Sequence, residues 1–113
     1  MNQTRSHVVV MTTAASEDEA RTLASRVVEA RLAACVQIMP IRSIYTWEGR
    51  VQDDQEHLLL VKTRGEKLEA LETLVREAHS YEVPEMTVVP IEAGSAAYLG
   101  WIDAVVAEGS AGA

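Results

Sequence analysis

The stretch from Glu29 to Gly49 constrains the fold more than any other part of the chain. A helix ends at Arg31, an apolar run extends from Leu32 to Met39, and Ile41 to Trp47 continue it to a turn at Glu48-Gly49. After Gly49 the chain is polar from Arg50 to His57 and apolar again at Leu58-Leu59-Leu60-Val61. Two extended segments around a glycine-containing turn predict a β-hairpin. Its arms exceed the usual length of about five or six residues per strand. A small domain does not need such arms to cover its own core, so part of the hairpin is expected to pack on another subunit. Pro40 has no N–H to give to a ladder, which predicts a bulge or a sheet edge at that point. In the second arm, Val51 to Thr63, the polar half is expected to project and the apolar half to lie within the sheet.

The remaining elements arrange themselves around this hairpin. His7 to Thr13 is a β-branched run without alternation, which predicts a strand buried on both faces. Ser16 followed by Glu19 forms a capping-box pattern, and the acids Glu17, Asp18 and Glu19 suit the positive end of a helix. Ala20, Leu23, Ala24, Val27 and Val28 then make one apolar stripe, so a helix is expected over Glu17 to Arg31. A second amphipathic helix is expected over Gly65 to His79, with Pro84 forcing Val83 out of helical geometry shortly after it. Met86 to Ile91 reads as a short fourth strand, and Ser95 can cap a last helix that Gly109 would stop. The order β-α-β-β-α-β-α matches, in its first six elements, the ferredoxin-like split βαβ unit of an α+β fold. Strands one and three are then central, and both earlier helices cover one face. The opposite face would be bare although its strands are apolar, and apolar surface of that kind marks association. An obligate oligomer is expected.

Composition narrows the class. The 113 residues suffice for one domain over 1–113, with 1–6 and 109–113 expected as loose tails. Hydrophobic residues make up 48%, which excludes global disorder. Seventeen acids against ten bases give a net charge of -7, which argues against nucleic acid or an anionic membrane surface as partner. Cys35 is the single cysteine, so an internal disulfide is impossible. No apolar run is long enough for a signal peptide core or a membrane span, and a cytoplasmic address is expected.

No nucleotide-binding glycine pattern, CxxC, HExxH or GxSxG occurs. The candidates are single residues and one cluster. Cys35 is either a small buried hydrophobe or a soft metal ligand or reactive thiol. His79 either caps the second helix or offers an imidazole to copper or zinc. Tyr81, Glu82 and Glu85 surround Pro84 close to His79, a cation site if other elements or a neighbouring subunit complete it. Met11 is either core filling or a sulfur donor. Tyr45 and Trp47 lie two apart on one strand face, where they pack an interface or line a small-molecule cleft, with Lys62 on the partner arm as its charge. A Cys35 nucleophile with His79 as base is the weakest reading, and a binding protein rather than an enzyme is expected.

ARLAACVQI at Ala30–Ile38, SIYTWEGRV at Ser43–Val51, LLLVKT at Leu58–Thr63, HSYEVPE at His79–Glu85 and YLGWI at Tyr98–Ile102 closely resemble the CutA family of divalent-cation tolerance proteins. The resemblance runs from about residue 7 to 106. It implies a ferredoxin-like homotrimer built like the PII signalling proteins, whose hairpin arms wrap neighbouring subunits. It also implies tolerance of divalent ions, with copper or another divalent cation as the bound ion. The site the resemblance implies falls on Cys35, His79 and Glu85, with Met11 where the family has a cysteine. Tyr45, Trp47, Lys62 and Tyr81 would line the inter-subunit cleft. The alternative is a PII-like sensor that binds a small molecule in that cleft.

Overall fold

The computed structural model describes residues 7–112, with side chains described to residue 107. The expected tail at 1–6 lies outside the described residues. Strand β1 (His7–Ala14) leads into helix α1 (Glu17–Glu29), and β2 (Cys35–Trp47) and β3 (Arg50–Arg64) form the hairpin. A 3-10 turn at Gly65–Lys67 opens into α2 (Leu68–Ala78), followed by β4 (Thr87–Pro90) and α3 (Ala96–Gly112). The sheet order is β2-β3-β1-β4, all antiparallel, so β1 and β3 are central as the apolar runs require.

The hairpin ladder is unbroken. It runs one-to-one from Cys35 opposite Lys62 to Trp47 opposite Arg50. Pro40 therefore marks an edge strand and not a bulge, because it pairs in register with His57 on an outermost strand. The turn has two residues, Glu48 at φ 53° and Gly49 at φ 76°. Positive φ at both central positions is the mirror-image turn whose twist matches the flanking strands. Glycine takes this conformation freely, and a carboxylate side chain at Glu48 accepts some strain.

Side-chain alternation divides the sheet cleanly. One face carries Val8, Val10 and Ala14 of β1 and Leu59 and Val61 of β3. Ala20, Leu23 and Val27 of α1 and Leu68, Leu71 and Val75 of α2 close over it as one core. Helix α1 starts as its sequence asks: the Glu19 N–H donates to Oγ of Ser16, and Glu19 Oε1 accepts from the Ala15 N–H. It ends two residues before the expected Arg31. Arg31 stands at φ 60°, its N–H donates to the Val28 carbonyl and that of Leu32 to the Val27 carbonyl. These paired bonds are a Schellman ending, here built on arginine where glycine is usual. Helix α2 ends one residue early for a different reason: His79 turns extended, at φ -86° and ψ 146°. His57 is half-buried on the helix-covered face, not a surface residue, because it pairs with Ala14 at the end of β1.

Two expectations about the last helix need correction. Gly109 does not stop α3, which continues to Gly112. A helical glycine costs about 1 kcal/mol relative to alanine and does not by itself break a helix. The second face of the sheet is also not bare. Helix α3 lies against β3 there, with Ile102 and Val106 buried. Asp103 accepts from Arg64 Nη1 at 2.7 Å and lies 2.8 Å from His7 Nε2, and Lys62 Nζ sits 5.6 Å from the Tyr98 ring centroid. Ser95 caps the helix as expected, accepting from the Tyr98 N–H. Beyond α3 the same face leaves Met39, Tyr45 and Trp47 exposed.

Leu71 has no exposed surface and joins α2 to the sheet core. Leu71→Ala is expected to cost about 2–5 kcal/mol of unfolding free energy, from lost burial plus the cavity left behind. Urea denaturation at fixed protein concentration reads this directly.

Candidate functional site

The projecting half of the hairpin and the loop after α2 enclose a cavity of about 600 Å3. Ser43, Tyr45 and Trp47 of β2 and Glu56 of β3 share the sheet face that α1 and α2 leave open, and they form its floor. Tyr81, Glu82, Pro84 and Glu85 from the loop form its wall. Period-two alternation puts 43, 45 and 47 on one side of the strand, and the one-to-one ladder brings Glu56 to the same side.

Four hydrogen bonds hold the wall in place. Tyr81 Oη donates to Glu56 Oε2, although Glu56 is only 6% exposed. Burial, and then this bond, push the Tyr81 phenol well above its ordinary range. Behind it, the side chain of His79 has no exposed surface. Its Nε2 meets the Thr13 carbonyl, and its Nδ1 lies 3.0 Å from the Tyr81 N–H. A carbonyl can only accept and an amide N–H only donate, so Nε2 carries the proton and Nδ1 accepts. Glu19 Oε2 then accepts from the Ser80 N–H at 2.8 Å. On the floor, Tyr45 Oη donates to Asp54 Oδ2 at 2.6 Å, and that bond, followed by burial, pushes the Tyr45 phenol up to about 12. Both phenols stay protonated donors through the physiological range.

The structure thus brings Tyr45, Trp47, Tyr81 and Glu85 around one cavity. It does not bring Lys62 there. Lys62 pairs with Cys35, ten residues along β3 from the Gln52 that faces Tyr45, or roughly 33 Å at about 3.3 Å per residue. Cys35 is a free thiol at the opposite end of β2, half-buried. Met11 lies in the middle of β1, opposite Leu60 and Thr87. Cys35 is level with Val9 of β1, whereas His79 binds Thr13. That separates the two by roughly 13 Å along the sheet and two strand spacings across it. Glu85 is exposed at the rim, where Thr87 Oγ1 donates to it at 3.3 Å. Among the described residues, no three histidine, cysteine or acidic side chains converge on a point that could hold a metal ion. Within one chain, Cys35, His79, Glu85 and Met11 therefore do not fit an ion, and both ring nitrogens of His79 are already occupied.

Sequence reading missed Glu56, which sits in the acidic run Asp53-Asp54-Gln55-Glu56 and looks like solvated surface. The signal was its parity: Glu56 shares a face with Leu58 and Leu60, next along an apolar stripe. It also missed the second role of Glu19, because Ser80 is sixty-one residues away.

The description CutA1 divalent ion tolerance protein matches residues 8–105. The chain belongs to the CutA family. The divalent-cation tolerance protein CutA of Thermus thermophilus is 50% identical over 95 residues, covering 83% of this chain and 92% of that one. The chloroplastic protein CutA of Arabidopsis thaliana is 46% identical over 96 residues, covering 84% of this chain. This chain spans about half (53%) of that plant relative's length. The solved structure of the periplasmic divalent cation tolerance protein CutA from Archaeoglobus fulgidus superposes with a TM-score of 0.87 at 42% identity, covering 88% of this chain and 98% of that one. The α+β fold of these relatives is the ferredoxin-like one expected from the element order and the PII-like one that the resemblance implied. Periplasmic and chloroplastic relatives mean that the family does not fix a compartment. Among the described residues no helix is long and apolar enough to cross a membrane.

The anchored loop gives a pH signature. Burial raises the Glu19 carboxyl, but hydrogen bonds from Ser80 and Ala15 and the nearby His79 outweigh it and hold it below the ordinary 4.5. A depressed folded-state pKa contributes stability that is complete above the unfolded value and lost as pH falls through the folded one. The Tm is therefore expected to drop as pH falls below about 4.5. Glu19→Gln should lower the Tm at pH 7 and flatten that acid limb, as thermal melts from pH 7 to 3 would show.

Proposed function

We propose that the chain acts in divalent-cation tolerance as a cytoplasmic homotrimer and binds copper or another divalent cation between subunits. The observation that carries this reading is the open sheet face, where Met39, Tyr45 and Trp47 remain exposed beside α3. Ile44 and Val51, at 68% and 75% exposure, stand on the other side of the projecting arm. An arm apolar on both sides gains from burial against neighbouring chains, at about 25 cal/mol per Å2. The donors lie apart within one chain, so the ion is assigned to the interface. There Glu85, exposed at the loop rim, would meet donors of a neighbouring subunit, with Cys35 as the soft donor at the other end of β2. Met11 is a thioether, which suits Cu(I) better than Cu(II). His79 serves in this proposal by fixing the loop. The cytoplasmic address rests on composition and on Cys35 as the single thiol. We read the protein as a binding protein and not an enzyme.

A second reading has its own observation. A cavity of about 600 Å3 lined by three aromatic rings is far larger than a bare ion needs, and lies within the usual range for small-molecule sites. A sensor that binds a small molecule in the cleft would use Tyr45, Trp47 and Tyr81, without Lys62.

Light scattering at micromolar concentration should give three times the chain mass of 12.4 kDa; a monomeric mass refutes the assembly. Calorimetric titration of the assembled protein with copper(II) and zinc should show saturable binding that Glu85→Gln weakens. His79→Ala should lower the Tm more than the affinity. Complete absence of binding would remove the metal role and leave the sensor reading.

A further inference from the structure

The cavity between the hairpin arm and the loop has a one-sided charge. Glu56, Glu82 and Glu85 line it, and no lysine, arginine or histidine does among the described residues. Asp54 stands just behind Tyr45 and takes its phenolic proton in a hydrogen bond. Carboxylates at a rim are ordinary solvated surface and mean little alone. Glu56 is different, because it is 6% exposed and its donor among the described residues is a neutral phenol, that of Tyr81. A buried carboxylate without a cationic partner is costly, and a cation reaching it from the cavity would be held strongly.

The other lining surface selects among cations. Tyr45, Trp47 and Tyr81 present aromatic rings, and Trp47 remains 44% exposed. Ring faces attract ammonium and guanidinium groups, tryptophan most of all. They offer nothing to a bare divalent ion, which takes oxygen, nitrogen or sulfur donors, and no three such side chains converge here among the described residues. The two phenols point their protons at Glu56 and Asp54, so those donors are already spent on the protein's own carboxylates. An anionic ligand would meet three carboxylates and no counter-charge.

We propose that this cavity binds a small organic cation, an amine or guanidine that lays its carbon chain on Tyr45 and Trp47 and directs its charge to Glu56. The proposal rests on the sensor reading and names the ligand class for it. The same charge could come from a lysine or arginine of a neighbouring subunit, and the test separates the two sources.

The assembled protein is melted with three four-carbon probes of matched length: 1,4-diaminobutane, 1,4-butanediol and succinate, with agmatine as the guanidine. A ligand that binds only the folded protein raises its Tm in proportion to its occupancy. The diamine and agmatine are expected to raise the Tm saturably, and the diol and succinate to leave it unchanged. Glu56→Gln keeps an acceptor for Tyr81, so it is expected to fold and to lose affinity by roughly tenfold or more. Glu82→Gln, at an exposed rim position, gives a smaller loss without touching the fold. Binding of succinate or the diol with none of the amines overturns the cation assignment while the sensor reading stands. Response to none of the four overturns this proposal and counts against the sensor reading too. No amine response, together with weaker subunit association in Glu56→Gln by light scattering, assigns the cavity to a neighbour's cationic side chain and also overturns the proposal.

Discussion

Everything at the candidate site depends on the register of the β2–β3 ladder. Side chains alternate with a period of two, so a slip by one residue would turn Tyr45, Trp47 and Glu56 to the opposite face together. The turn at Glu48-Gly49 fixes that register at one end, with both residues at positive φ. At the other end the apolar pairing of Val61 with Val10 and Val36 fixes it, because Val10 and Val61 are fully buried against α1 and α2. Between these two points the arm is largely exposed, and it keeps its register because both ends are set. The cavity is therefore a consequence of core packing some distance away, transmitted along the strands.

The loop that completes the cavity is fixed by backbone groups and not by burial. Val83 and Glu85 are exposed, so hydrophobic packing contributes little there. What holds the loop is the sequence of bonds from the Thr13 carbonyl to the His79 ring, from the ring to the Tyr81 N–H, and from the Ser80 N–H to Glu19. Tyr81 then reaches across to Glu56. Each bond alone is worth on the order of 1 kcal/mol, but a buried group left without its partner costs more than that. Removing one member exposes the next, so the loop responds as a unit.

Much of this architecture was legible in the residues. The apolar runs at Val8–Met11 and Leu58–Val61 identified the central strands, Ser16 with Glu19 identified the start of α1, and Pro40 identified an edge. Local chemistry decides each of those, so local reading suffices. The parts that escaped are decided by contacts far apart in sequence. Helix α3 reaches the second face through Asp103, whose partners are His7 and Arg64, and the apolar stripe of α3, of which Ile102 and Val106 are buried, does not by itself say which face receives it. Lys62 looked available to the cleft because it lies on the neighbouring arm, but the ladder carries it to the far end, under Tyr98. Glu56 was hidden in an acidic run whose other members are exposed.

His79 shows why a family resemblance does not transfer residue by residue to a mechanism. Imidazole suits copper and zinc, and the position after α2 looked like an offered ligand. In the fold the ring is enclosed, with a carbonyl on Nε2 and an amide N–H on Nδ1. Either nitrogen would have to give up a backbone partner before it met an ion, and that partner would then be buried unsatisfied. Protonation of Nδ1 would likewise turn an acceptor into a second donor facing the Tyr81 N–H. Glu19 Oε2 lies 3.8 Å from Nδ1. The histidine therefore acts on the site through geometry: it sets where Tyr81, and with it the wall above Glu56, stands.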